Sequence, residues 1–180
     1  MKKALVLFAQ GSEELEAVTV VNILRRAGIA VTLAGTDSGA LQGSRSIAIQ
    51  PDATLDSVLN EEFDLIVLPG GQPGTRNLSA DQRVLQLVRS MAETGKLVAA
   101  ICAAPAVLAK AGLLNDKDAT CYPGSLDDFP GVRLKAGAIV EDGNLITSRG
   151  PGTAMDFALR LTERLAGHAK RAEVEAGLVR

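Results

Sequence analysis

The sequence has one histidine, no tryptophan, two cysteines and no long apolar run, and each scarcity removes a class of function. Aromatic residues make up 3% of the chain, too few for a base-stacking surface or an aromatic ligand cage. A formal net charge of -2 gives neither nucleic acid nor an anionic membrane an electrostatic reason to bind. No stretch reaches the ~18 apolar residues that a membrane span needs. The apolar run near the N-terminus, Ala4 to Ala9, is too short for a secretory signal and no cleavage site follows, so a cytoplasmic protein is expected. Cys102 and Cys121 do not make a disulfide framework, and no CxxC pair or Cys/His cluster offers metal-ligand spacing. No metal or other cofactor is expected, and the partner left by these exclusions is a small molecule.

What is present is a chain of 180 residues, 47% hydrophobic and 22% charged, long enough to bury a substantial core and read as one domain over 1–180. Short apolar runs alternate with segments of helical period, the pattern of a mostly parallel sheet covered on both faces. Strands are expected at Ala4–Phe8, Ile29–Ala34, Phe63–Leu68 and Leu97–Ile101, with a small β excursion near Ser46–Gln50. Later strands are expected at Ala119–Tyr122, Arg133–Ala136, Ile139–Val140 and Leu145–Thr147, the last pair joined by an EDGN turn. Helices are expected at Glu13–Ala27, Leu55–Asn60, Asp81–Thr94, Ala103–Ala111, Thr153–Leu165 and His168–Ala176, with a loop between Pro69 and Asp81. Pro105 falls in a first helical turn, where its missing N–H costs nothing. Thr153 reads as an N-cap with Asp156 as its capping-box partner.

Cys102, in AAICAAP, stands where a central strand passes into a helix. That is the crevice in which open α/β sheets place their ligands, and the sharp turn of a nucleophile elbow, here with alanines at 100 and 104 in place of the usual glycines. A helix N-terminus lowers a thiol's pKa, so Cys102 is expected to ionise without a base. The same position also suits a small buried apolar side chain, which free cysteine often is. A hydrolase would pair the thiol with a histidine, but His168 lies in LAGHAKRAEVE and reads as the start of a solvated helix. The other candidate is Glu16, which a helical projection of GSEELEAVTVVNILRRAG places between Val20 and Ile23 on the apolar side. Glu13 and Glu14 read as first-turn acids that complement the helix dipole. The glycines of LPGGQPGTRN fit either a tight turn or an oxyanion hole formed by the N–H groups of Gly71 and Ala103. TSRGPGTAMDF, which contains Pro151, is expected to shape one wall of the crevice, and Cys121 reads as a buried strand cysteine.

GSEELEAV, LPGG, AAICAAP and TSRGPGT, in this order and at these separations, resemble the ThiJ/PfpI superfamily over nearly the whole chain, in the branch of the parkinsonism-associated protein deglycase and bacterial YajL. The resemblance implies a flavodoxin-like three-layer α/β sandwich with a nucleophile elbow, and a homodimer. It implies Cys102 as the nucleophile, Glu16 as a protonated carboxyl against its sulfur, and Gly70, Gly71 and Ala103 lining an anion pocket. Arg45, together with Arg26 from a partner subunit, matches arginines near the dimer interface, where Tyr122 and Pro151 are also expected beside the cysteine. Two departures stand out: Tyr122 occupies the place of a histidine in the branch's human member, and Gly43 and Gln50 occupy the places of peripheral cysteines. The expected activity is cofactor-free attack on reactive dicarbonyls or early glycation adducts, of glyoxalase or deglycase type. A redox sensor or chaperone acting through Cys102 oxidation is the alternative, and a protease or amidotransferase ranks below both.

Overall fold

Strand β1 (Lys3–Phe8) turns Ala4, Val6 and Phe8 to one face and Leu5 and Leu7 to the other, and all five are fully buried. A strand buried on both faces must lie inside a sheet covered on each side. The computed structural model describes residues 1–180. After β1 come α1 (Glu14–Arg26), β2 (Ala30–Gly35), a separate antiparallel hairpin of β3 (Leu41–Gln42) and β4 (Ala48–Ile49), β5 (Ala53–Thr54) and α2 (Leu55–Val58). The chain continues through β6 (Leu65–Leu68), α3 (Gly74–Ala80), α4 (Gln82–Glu93), β7 (Leu97–Ile101) and α5 (Pro105–Lys110). It closes with β8 (Asp118–Ala119), β9 (Arg133–Leu134), β10 (Ile139–Asp142), β11 (Leu145–Ser148), α6 (Ala154–Ala166) and α7 (His168–Gly177).

Seven strands form the main sheet in the order β10-β11-β7-β6-β1-β2-β5, parallel except for the β10–β11 hairpin. One face packs on α1, α6 and α7 through Val20, Ile23, Phe157, Leu161 and Val174. The other packs on α2 to α5 through Leu55, Leu78, Val88 and Leu108. The three layers are those of the flavodoxin-like α/β sandwich. From β1 the chain moves outward to β2 and β5, then returns to β6 on the opposite side, so the strand order reverses between β1 and β6. Ligands of open α/β sheets bind beyond the strand ends at such a reversal. No helix is long and apolar enough to cross a membrane.

Several local expectations are revised. The stretch read as loop before Asp81 contains α3, whose Gly- and Pro-rich start hides a buried face made by Thr75 and Leu78. A Cβ on Gly74 would lie 2.3 Å from the Ser12 backbone nitrogen, so the missing side chain lets α3 begin against the β1–α1 loop. The short strand β5 adds an unexpected edge beside β2. Strand β8 stops at Ala119, because the N–H groups of Thr120 and Tyr122 turn away to Thr147 Oγ1 (2.9 Å) and Cys102 O (2.7 Å). Cys121 therefore lies buried beyond the strand rather than in it. Thr153 does not cap α6: its hydroxyl reaches Ser148 Oγ at 2.7 Å and donates to Gly150 O at 2.9 Å, while Asp156 pairs with Arg180 at 2.7 Å.

Candidate active site

Strand β7 delivers Cys102 to the C-terminal edge of the sheet with a φ of +64°. A left-handed backbone at a non-glycine residue costs about 1–3 kcal/mol and persists only where the surroundings impose it. Here the Cys102 N–H donates to Ser148 O at 2.9 Å, and its carbonyl accepts from the Tyr122 N–H at 2.7 Å. Pro105 follows as the first residue of α5, as its position in the sequence predicts. The alanines beside the elbow suffice because the closest approach is made by another segment. A Cβ on Gly70 would stand 2.6 Å from the Cys102 Cβ and 2.9 Å from the Ala103 nitrogen, so only glycine fits there.

Glu16 is fully buried in α1, as the helical projection predicts. Its Oε2 accepts the Gly70 N–H at 2.7 Å, and Oε1 has no conventional partner. The Cys102 thiol lies close enough to bear on the carboxyl's ionisation. Burial pushes Glu16 up to about 7, against the opposing pull of the Gly70 N–H and the thiol. Burial, followed by the charge of Glu16, pushes Cys102 up to about 12, although the N–H groups of Gly71 and Ala103 favour its thiolate. This corrects the expectation that the helix N-terminus alone ionises the cysteine: α5 is six residues long and burial outweighs it. The two groups titrate as a pair. Glu16 is pushed up to about 7 and Cys102 up to about 12, so in the interval between them the pair carries a single proton.

Above the pair opens a cleft of about 390 Å³. One wall carries Glu13, Ser44 and Arg45; the other carries Tyr122, Ser125 and Pro151. Ser44 donates to Glu13 Oε2 at 2.6 Å, and the largely exposed Arg45 guanidinium stands 3.9 Å from the same oxygen. Glu14 is buried and accepts the N–H groups of Arg45 (2.9 Å) and Ile47 (3.3 Å). Although burial opposes it, backbone hydrogen bonding holds its carboxyl below the usual range. Glu13 and Glu14 thus do more than complement a helix dipole: they fasten the Ser44–Ile47 turn over the crevice. The Tyr122 ring lies over Gly150, where an added Cβ would stand 3.5 Å from Tyr122 Cδ2.

Of the expected residues, Cys102, Glu16, Gly70, Gly71, Ala103, Arg45, Tyr122 and Pro151 converge here. The Gly70 N–H is committed to Glu16, which leaves Gly71 and Ala103 as the donors aimed at the sulfur. Arg26 does not join them: it bonds Asn22 at 2.8 Å and lines a larger groove of about 550 Å³ along α1, which holds no nucleophile. His168 is exposed on α7 beside Glu163 Oε1 at 3.4 Å. Sequence reasoning missed Ser125 and the wall role of Glu13. No group of three or more His, Cys, Asp or Glu side chains is placed to hold a metal ion.

Known proteins resemble this chain in sequence and fold over nearly its whole length. The Drosophila melanogaster protein dj-1beta is 47% identical across 99% of this chain and 97% of its own length, and its crystal structure matches with a TM-score of 0.96. An oxidized Toxoplasma gondii DJ-1 matches with a TM-score of 0.95 at 36% identity, covering 99% of this chain and 98% of that one. A Caenorhabditis elegans relative, 34% identical over 94% of this chain and 91% of its own, is named glutathione-independent glyoxalase DJR-1.2. Residues 2–164 match the DJ-1/PfpI family. Matched over nearly its whole length, this chain belongs to the DJ-1/PfpI family.

Proposed function

We propose that the protein is a cofactor-free enzyme that converts reactive dicarbonyls, methylglyoxal or glyoxal, and early glycation adducts to hydroxy acids. The observation that carries this reading is the buried Glu16 carboxyl set against Cys102 at an elbow with no histidine in reach. When the proton resides on the carboxyl, the sulfur is a thiolate and Glu16 an acid, the two forms that addition to an aldehyde requires. The thiolate attacks the aldehyde carbon, and the developing alkoxide takes the Glu16 proton, giving a hemithioacetal held by the Gly71 and Ala103 N–H groups. The Glu16 carboxylate then removes the proton on the former aldehyde carbon and returns it to the adjacent carbon through an enediol. One carbon is oxidised as its neighbour is reduced, so no external oxidant is needed. Water hydrolyses the resulting thioester, releasing lactate from methylglyoxal and restoring the thiol. The name of the nematode relative supports the same reaction class.

A second reading is a redox sensor or chaperone. Cys102 faces a cleft, with N–H donors that would also hold the oxygens of a sulfenate or sulfinate, and one structural relative is an oxidized form. Exposed Leu15 and Val18 on α1 support pairing of the chain with a second copy, with Arg26 near that contact.

Five outcomes check these readings. With methylglyoxal, lactate formation should fall to background in Cys102→Ser and by about 10²-fold or more in Glu16→Gln; wild-type turnover that neither change reduces would overturn the enzyme reading. The rate should rise with pH through about 7, as the pair loses its first proton. Stability should move the other way: Glu16 ionises at 4.5 when unfolded and near 7 when folded, so its contribution is full below 4.5 and is lost as pH rises to about 7. Urea unfolding of Glu16→Gln should therefore show a flatter pH profile across that interval, and an unchanged slope would count against the buried carboxyl. Intact-mass spectra after mild peroxide should show oxygen adducts on wild type but not on Cys102→Ser; their absence from both removes the redox reading. Sedimentation equilibrium should give twice the 18.7 kDa chain mass, and a single-chain mass would refute the dimer.

A further inference from the structure

The left-handed backbone of Cys102 is held by two hydrogen bonds, its N–H to Ser148 O and the Tyr122 N–H to its carbonyl. The two anchors belong to segments that a third hydrogen bond joins. The Thr120 N–H donates to Thr147 Oγ1 at 2.9 Å. Thr147 immediately precedes Ser148, and Thr120 lies two residues before Tyr122. Three hydrogen bonds and two short pieces of chain therefore close a ring that passes through the nucleophile. Backbone groups supply every hydrogen-bonding atom of the ring except one, the Thr147 hydroxyl oxygen.

That atom is hard to replace. Thr147 is 1% exposed and Thr120 2% exposed, so water cannot take over the Thr120 N–H, and an orphaned buried N–H is costly. The backbone of Thr147 lies in the sheet between Ala100 of β7 and Val140 of β10, which leaves its side chain to tether the neighbouring segment. The hydroxyl's own donor goes to Val140 O at 3.4 Å, a weak bond that does not account for a buried polar side chain. The tethered segment continues to Tyr122 and Ser125, which line the cleft above the sulfur.

We propose that Thr147 is a positioning residue for Cys102: by holding the Thr120 N–H, its hydroxyl fixes the Tyr122 clamp on the Cys102 carbonyl and so aims the sulfur at Glu16 and at the Gly71 and Ala103 N–H groups. The inference rests on the reading of Cys102 as the reacting atom and adds a residue that touches neither the substrate nor the thiol. A purely structural Thr147 would affect global stability and leave the reactivity of the folded enzyme unchanged.

Thr147→Val keeps the shape and removes the acceptor; Thr147→Ser keeps the acceptor. With methylglyoxal, kcat of Thr147→Val should fall by about 10- to 100-fold, as expected of a small misplacement of a reacting atom, with KM moved much less, while Thr147→Ser stays within about twofold of wild type. The rate of Cys102 alkylation by iodoacetamide in the folded proteins should follow the same order. A valine variant with wild-type kcat and alkylation rate, or a serine variant that falls as far as valine, overturns the proposal. If wild type turns over no methylglyoxal, the dicarbonyl reading fails, and the alkylation series alone decides the role of Thr147. Should Thr147→Val fail to fold, Thr147→Ala against Thr147→Ser provides the same comparison with and without the acceptor.

Discussion

A carboxyl group with no access to water lies against a thiol that is itself largely buried, and much of the C-terminal edge of the sheet exists to keep the two together. Burying a carboxylate without compensation is prohibitive, so the group needs either a proton or hydrogen-bond donors, and Glu16 has a share of both. The Gly70 N–H satisfies one oxygen, and burial holds a proton on the carboxyl up to about 7. That arrangement in turn requires glycine at position 70, because a Cβ there would collide with the cysteine it serves. It also requires Gly74, whose missing side chain allows α3 to start against Ser12 and brings the Gly70–Gly71 turn over α1. The packing constraints and the chemistry are thus one set of contacts.

In the proposed reaction the pair also takes the place of a histidine. In a hydrolase triad the base is separate, solvent-accessible and free to deliver its proton to a leaving group. Here the carboxyl is sealed beneath the thiol, and the proposed passage of a proton between them suits addition to a carbonyl more than expulsion of an amine. The thiol alone is a poor nucleophile at neutral pH, held up by burial. In the proposed reaction its competence comes from its neighbour, so the reactivity belongs to the pair.

Much of the fold was legible because it rests on local pattern. The alternation in β1 and the helical stripes of α1 and α4 reflect periodicities of two and 3.6 residues, and the elbow showed itself as a cysteine at a strand-to-helix junction. Glu16 was legible for the same reason, as an acid on an apolar stripe. Helix α3 was not, because the glycines and prolines that shape its start are also the residues that signal a loop. The ionisation of Cys102 was read with the wrong sign, since a helix start is visible in sequence and the depth of burial is not. Nor could the sequence disclose the Thr120–Thr147 contact, which joins residues 27 apart through a side chain with no motif of its own.

The Ser44–Ile47 turn is fastened to the start of α1 by Glu13 and Glu14, three and two residues before the carboxyl that lies beneath the sulfur. Helix α1 therefore carries both the proton-transfer group and one wall of the cleft, and a change that tilts it alters chemistry and recognition together. The opposite wall, Tyr122, Ser125 and Pro151, contributes no side chain to the Glu16–Cys102 pair. The two sides of the cleft are therefore unequal: the second holds Cys102 only through the Tyr122 backbone N–H, so its side chains are the ones whose exchange would retune recognition while the proposed reaction is kept.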